Sequence, residues 1–254
     1  MLCSKTGSGW FACGLAVAML GVAPHHARSS TPDRSPDISG TWERYAPEIT
    51  DYDHPPPPGG SFELKGPYAG PYAALLKKKA RADAAGAPLI NTSARCLWEG
   101  MPTIMGATYP LQILQNPGQV TVLAEFLSQT RRIWLNDKLP PLQGLTPSYN
   151  GYSVGHWEGD TLVVETIGVR TDVLFFDVPH TEDMKITERF RHTGPDSLED
   201  RIVIDDPKVL RQPYRFTFNY KKIDYRIMEY VCDNNQIAVD SKGGTSLKFD
   251  GARK

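Results

Sequence analysis

The chain has 254 residues, with 28 lysines and arginines against 29 aspartates and glutamates, a formal charge of −1. Its cations are scattered among acids, at Lys65, Lys77–Lys79, Arg131–Arg132 and Lys221–Lys222, so no basic face is offered to a polyanion and nucleic-acid binding is set aside. Four cysteines without a Cys-x-x-Cys pair leave thiol redox catalysis and thiolate zinc sites without their minimum equipment.

Lys5 precedes an apolar run from Trp10 to Val22 and then small residues, the order of a secretory signal peptide. The run is shorter than the roughly 20 residues of a membrane span. A leader over residues 1–27 is therefore expected, with no permanent membrane anchor and a mature protein in the periplasm or secreted. About 225 residues then remain, enough for one domain without staples. Residues 28–66, centred on Pro55-Pro56-Pro57-Pro58-Gly59-Gly60, read as a Pro/Gly-rich arm on which Trp42 and Tyr45 dock against the domain. The domain itself is expected over 67–254. Its first element is a helix from Tyr68 to Ala85, rich in alanine and long straight side chains, stopped by Gly86 and polar enough to cover the domain.

From residue 119 the apolar period becomes two. Strands are expected at Gln119–Leu127, Thr130–Asn136, Tyr152–Trp157, Thr161–Thr166, Met184–His192, Leu198–Asp205, Tyr214–Tyr220 and Tyr225–Cys232. The clearest hairpin turns at Glu158-Gly159-Asp160, where Gly159 accepts left-handed geometry. Consecutive strands with mostly short links and one early helix give an antiparallel up-and-down meander that curls into a barrel or half-barrel; a β-sandwich is the alternative. Cys96 opens the ordered core and Cys232 ends the last expected strand, so a disulfide between them would close the structure, stabilising it by roughly 3–4 kcal/mol in the chain-entropy model. Two buried thiols are the other reading.

The stretch Gly151-Tyr152-Ser153-Val154-Gly155-His156-Trp157-Glu158-Gly159-Asp160-Thr161-Leu162-Val163-Val164-Glu165-Thr166 resembles the most recognisable motif of a large, mostly uncharacterised family of exported bacterial proteins. Gly100-Met101-Pro102, Tyr109-Pro110-Leu111-Gln112-Ile113, Thr187-Glu188-Arg189-Phe190, Ile204-Asp205-Asp206-Pro207 and Glu229-Tyr230-Val231-Cys232 extend the resemblance across residues 95–236. The resemblance implies a lipocalin-like strand arrangement. Tyr152 stands where that family usually has His, His156 where it has Arg, and Asn136-Asp137-Lys138 replaces an Asp-Gly-Arg turn, so a chemistry resting on the usual His does not carry over.

Alternation nominates the chemistry-bearing residues. Glu188 shares a strand face with Met184, Ile186 and Phe190, and Glu229 shares one with Tyr225, Ile227 and Val231, so two carboxylates are expected to point inward. Burial there would raise a carboxylate pKa and a paired cation would lower it. Arg132 and Trp134 share a face suited to gripping an anionic or aromatic ligand. His180 lies in a loop that forms a barrel mouth, and His156, His192, Trp157 and Phe190 are further ligand-facing candidates. The spacing Gly151-x-Ser153-x-Gly155 leads into a hairpin and lacks the strand-to-helix elbow of a serine hydrolase. No metal-ligand motif and no nucleotide cradle occur, so neither metal nor cofactor is expected.

The expected function is a cofactor-independent lyase or isomerase acting on a small apolar or aromatic molecule, with lignin-derived aromatics as one fitting class. Glu188, His180, Glu229 and Tyr152 would transfer protons, and Arg132, Trp134, Trp157, His156, His192 and Phe190 would hold the substrate. The alternative is a carrier that binds a hydrophobic small molecule without turnover. Oligomeric state is not legible.

Overall fold

The structure, a computed structural model, describes residues 35–46, 57–89, 92–232, 237–239 and 245–247, and residues 35–254 form one compact unit. The expected leader and residues 47–56 of the Pro-rich arm lie outside the described residues. Nine strands close a barrel: β1 (Gly40–Arg44), β2 (Leu111–Asn116), β3 (Gln119–Ala124), β4 (Gln129–Leu135), β5 (Tyr152–Glu158), β6 (Thr161–Ile167), β7 (Lys185–Gly194), β8 (Ser197–Asp205) and β9 (Tyr214–Lys222). A helix, α1 (Gly66–Ala84), precedes β2, and a short hairpin, β10 (Ile237–Val239) with β11 (Thr245–Leu247), follows the barrel. The molecule is thus mainly β, a closed barrel covered by a helix, as the alternating strands imply.

Three departures from the sequence reading have physical causes. The first is β1, which lies inside what reads as an arm. It pairs antiparallel with β2 through Gly40↔Ile113 and with β9 through Trp42↔Lys222, and so closes the barrel. Five residues flanked by Pro-rich sequence give no periodic signal, yet Trp42 is fully buried and donates its indole N–H to the Ile38 carbonyl at 3.1 Å. The second is Tyr225–Cys232, which forms no strand. β9 already has β8 and β1 as neighbours, so no edge is left for it. This segment turns back instead, tied by Ile223 N–H to Thr41 O and by Met228 N–H to Glu125 Oε2 at 3.1 Å.

The third departure is that β4 and β5 pair in parallel, through Ile133↔Ser153 and Leu135↔Gly155. Parallel neighbours need a crossover connection, and residues 136–151 supply it, running the length of the barrel. The tight turns at 117–118, 159–160 and 195–196 therefore gather at one end, and the long connections 168–184 and 206–213 at the other. At that loop end α1 docks through Tyr72 against Phe62, which packs on Phe175 and Tyr214, with Phe62 and Tyr214 ring centroids 4.2 Å apart. No side chain of α1 is fully buried, in keeping with its lysines and its role as a cover.

Cys96 and Cys232 are joined in a disulfide that ties the segment before β2 to the returning tail. Their sequence separation of 136 residues makes it a long-loop crosslink. Replacing both cysteines by alanine is expected to cost about 2–5 kcal/mol, read as a lowered urea midpoint against the oxidised parent. An unchanged midpoint would show that the tail is held by its hydrogen bonds alone.

Candidate functional site

Strand alternation directs one face of each strand inward, and most inward side chains are apolar: Ile186 and Phe190 on β7, Leu198, Ile202 and Ile204 on β8, Phe216, Phe218 and Tyr220 on β9. The polar exceptions cluster. Arg131 on β4 is 3% exposed and donates from Nη1 to Glu188 Oε1 at 2.7 Å and from Nη2 to Glu188 Oε2, a two-pronged pair with a carboxylate that is 0% exposed. The same guanidinium donates to Ser153 Oγ at 3.2 Å and Thr166 Oγ1 at 3.1 Å, and these hydroxyls bond each other at 2.8 Å. Four strands thus meet in one network.

Asp200 on β8 lies beside this network and shares its burial, but neither of its oxygens has a partner at full hydrogen-bond geometry. Desolvation, then the neighbouring Glu188 charge, push its pKa well above the ordinary value of 3.8; Arg131 and the facing Arg189 backbone N–H offset this only in part. One guanidinium therefore serves two interior carboxyls, and it is committed to Glu188. Burial without a cation of its own favours the protonated form of Asp200.

A cleft of about 200 Å³ opens at the loop end of the barrel, lined by Arg44, Glu99, Thr103, Gly106, Ala107, Thr108, Tyr109, Phe126 and Phe176. Arg44, the last residue of β1, donates to Gly106 O at 2.9 Å and lies 4.8 Å from the Phe218 ring centre. Tyr109 and Phe126 stack with centroids 5.3 Å apart, and Tyr230 meets both edge-on. Burial raises the Glu99 pKa, partly opposed by a hydrogen bond from Ser93. Phe176 and Asp177 both have positive φ, 50° and 64°. Bulky side chains rarely adopt this conformation, and it is held here by Tyr72 Oη on the Phe176 carbonyl and by the Lys79–Asp177 ion pair. An aromatic wall with a few polar groups is the usual composition of a small-molecule site.

The structure does not bring the sequence-nominated residues to one point. Glu188 is inside, as alternation indicates, but bound to Arg131. Arg132 and Trp134 face outward, the latter 37% exposed, because Gln129, Arg131 and Ile133 form the inward face of β4. The cation that matters is one residue away, the consequence of a period of two. Glu229 is exposed, since its segment is not a strand. Tyr152 is half-buried and bonds Asp137 at 3.2 Å, while exposed His156 bonds Glu158 at 3.1 Å. His192 contacts the Trp42 ring and the Asp37 carbonyl, and Phe190 is core. Trp157 points inward with its indole N–H unpartnered, and His180, in the 168–184 connection, is buried with Nδ1 near Thr181 O and Nε2 unpartnered. Arg131 and Asp200 escaped the sequence reading, although Leu198, Asp200, Ile202 and Ile204 alternate just as the Glu188 strand does. Among the described residues no group of three His, Cys, Asp or Glu could hold a metal, and no helix is long and apolar enough to cross a membrane.

No model of a known family matches this chain, and no curated protein does. Among solved structures it is similar to a mutant of the fluorescent protein UnaG, at 16% identity and a TM-score of 0.33, over 74% of this chain and 97% of that one.

Glu188→Leu would leave the Arg131 guanidinium buried and uncompensated, and is expected to cost about 3–5 kcal/mol in chemical denaturation. Asp200 makes stability depend on pH. With its folded pKa raised, the folded chain holds a proton that the unfolded chain releases, so stability falls as pH rises from the unfolded value of 3.8 toward the raised folded one. Asp200→Asn removes that titration, and urea midpoints measured across the window should slope less for the variant than for the parent. Equal slopes would show that Asp200 is ionised in the folded protein.

Proposed function

We propose that this protein binds a small, largely apolar or aromatic molecule in the cleft at the loop end of the barrel and holds it without turnover, in the periplasm or outside the cell. The observation that carries the reading is the cleft itself: the rings of Tyr109, Phe126 and Phe176 form an apolar wall beside the Arg44 guanidinium and the half-buried Glu99 carboxyl. Such a site orients a flat molecule by stacking and fixes one polar group. The disulfide is compatible with an oxidising compartment, and membership of the exported family that the β5–β6 hairpin resembles is part of the same proposal.

Turnover asks for an acid and a base within hydrogen-bond reach of one point. Glu188, His180, Tyr152 and Glu229 sit in four different surroundings, and Glu188, the carboxylate among them that lies inside the barrel, is bound to Arg131. The carrier reading is therefore preferred to the lyase or isomerase.

Titration of the oxidised protein with acetophenone, followed by calorimetry and ligand-observed NMR, is expected to give saturable binding. Phe176→Ala should weaken it about fivefold, the loss of one ring contact of about 1 kcal/mol. Binding that Phe176→Ala leaves untouched would move the ligand away from this cleft, and no saturable binding of acetophenone or of its hydrocarbon counterpart ethylbenzene would reject the carrier reading.

A further inference from the structure

Phe218 is a shared neighbour of the cleft and of Asp200. Gly106 lines the cleft, and its backbone lies so close to Phe218 that a Cβ there would come within 2.5 Å of the ring. Phe218 is in turn the cross-strand partner of Asp200, both side chains being buried on the inner face. Tyr220, two residues on, donates to the Met105 carbonyl at 2.8 Å, so the turn that floors the cleft rests on the same stretch of β9. The path from cleft to acid runs through the Phe218 ring.

We propose that Asp200 receives the polar tip of the bound molecule, its carboxyl donating a hydrogen bond to a neutral acceptor such as a ketone, aldehyde or ether oxygen, once the Phe218 ring turns aside. This rests on the reading that the cleft binds an aromatic body, and it names the ligand's class. A wholly buried carboxyl with neither oxygen in a well-formed hydrogen bond is rare in a folded interior and has capacity for a further partner. The surrounding charges select that partner. Glu188 on β7 would repel a carboxylate ligand, and its own cation, Arg131 on β4, would repel an ammonium. Glu199 on the same strand adds negative potential, and Tyr220 on β9, with its hydroxyl committed to Met105, adds no charge. A neutral oxygen meets no penalty from any of them, and the neutral acid is a donor.

Acetophenone and ethylbenzene have nearly the same shape and differ in a carbonyl, so their affinity ratio reads the tip alone. The oxidised full chain is expected to prefer acetophenone by about fivefold or more, as for one net hydrogen bond. Asp200→Asn, which keeps a donor at the same place, should retain most of that preference. Asp200→Leu should abolish it while still binding ethylbenzene, and its folding is checked by its urea midpoint. A ratio near one in the parent, a ratio that survives in Asp200→Leu, or tighter binding of benzoate than of acetophenone would overturn the role of Asp200 and leave cleft binding standing. Failure of the parent to bind either ligand would overturn both.

Discussion

Gly40 to Arg44 are hydrogen-bonded to β2 on one side and to β9 on the other, and every other feature of the interior follows from that double pairing. Without it, β2 and β9 would each present a row of unpaired N–H and C=O groups to solvent, the hazard that a closed barrel removes. With it, the barrel excludes water along its length, and the inward faces of nine strands become a single low-dielectric space. Trp42 is the largest side chain this short strand contributes, and it fills the core where β1 crosses from one neighbour to the other. The carboxy-terminal tail, finding no edge to join, is left to return along the outside, where the disulfide fastens it beside the cleft.

A sealed interior makes its polar residues interdependent. Arg131 can be buried because Glu188 offers it two oxygens and Ser153 and Thr166 two more, all from strands whose registers are set independently by their apolar neighbours. That arrangement satisfies one positive and one negative charge and leaves nothing for a second anion. Ionising Asp200 would put two negative charges against one positive in a medium that screens weakly, so charge count and desolvation both favour its protonated form. A neutral carboxylic acid in such a place is chemically different from the ionised aspartates of the surface: it can donate.

The sequence shows a strand and its facing most plainly where apolar and polar residues alternate without interruption, as on β9, and Glu188 is legible on β7 because it falls in step with Ile186 and Phe190. On β4 both faces carry an arginine and an apolar residue, Arg131 with Ile133 and Arg132 with Trp134. Local pattern is then ambiguous, and only the pairing of Val120 with Ile133 decides it. The alternation of Tyr225, Ile227 and Val231 mimics a strand, but a strand also needs a free edge, and that is a property of the whole sheet. β1 is the converse, a strand with little pattern that exists because two edges were waiting for it. The cleft was illegible because its walls come from the end of β1, from irregular segments around residues 99–109 and 126, and from the 168–184 connection, places where no period links one residue to the next.

The two ends of the barrel have different duties. Three tight turns close one end, while the other collects α1, the disulfide and the two long connections. Stabilising parts crowd that end because it is the one that cannot close itself with short loops, and the same crowding supplies concave surface. Phe176 and Asp177 show the cost of the arrangement: two consecutive non-glycine residues are kept in the left-handed region by contacts from α1. If only stability had shaped this segment, glycine would sit there at no steric penalty. A phenylalanine in its place contributes a ring to the cleft wall that glycine could not, so the strained position is better explained by what the ring touches than by what the backbone prefers.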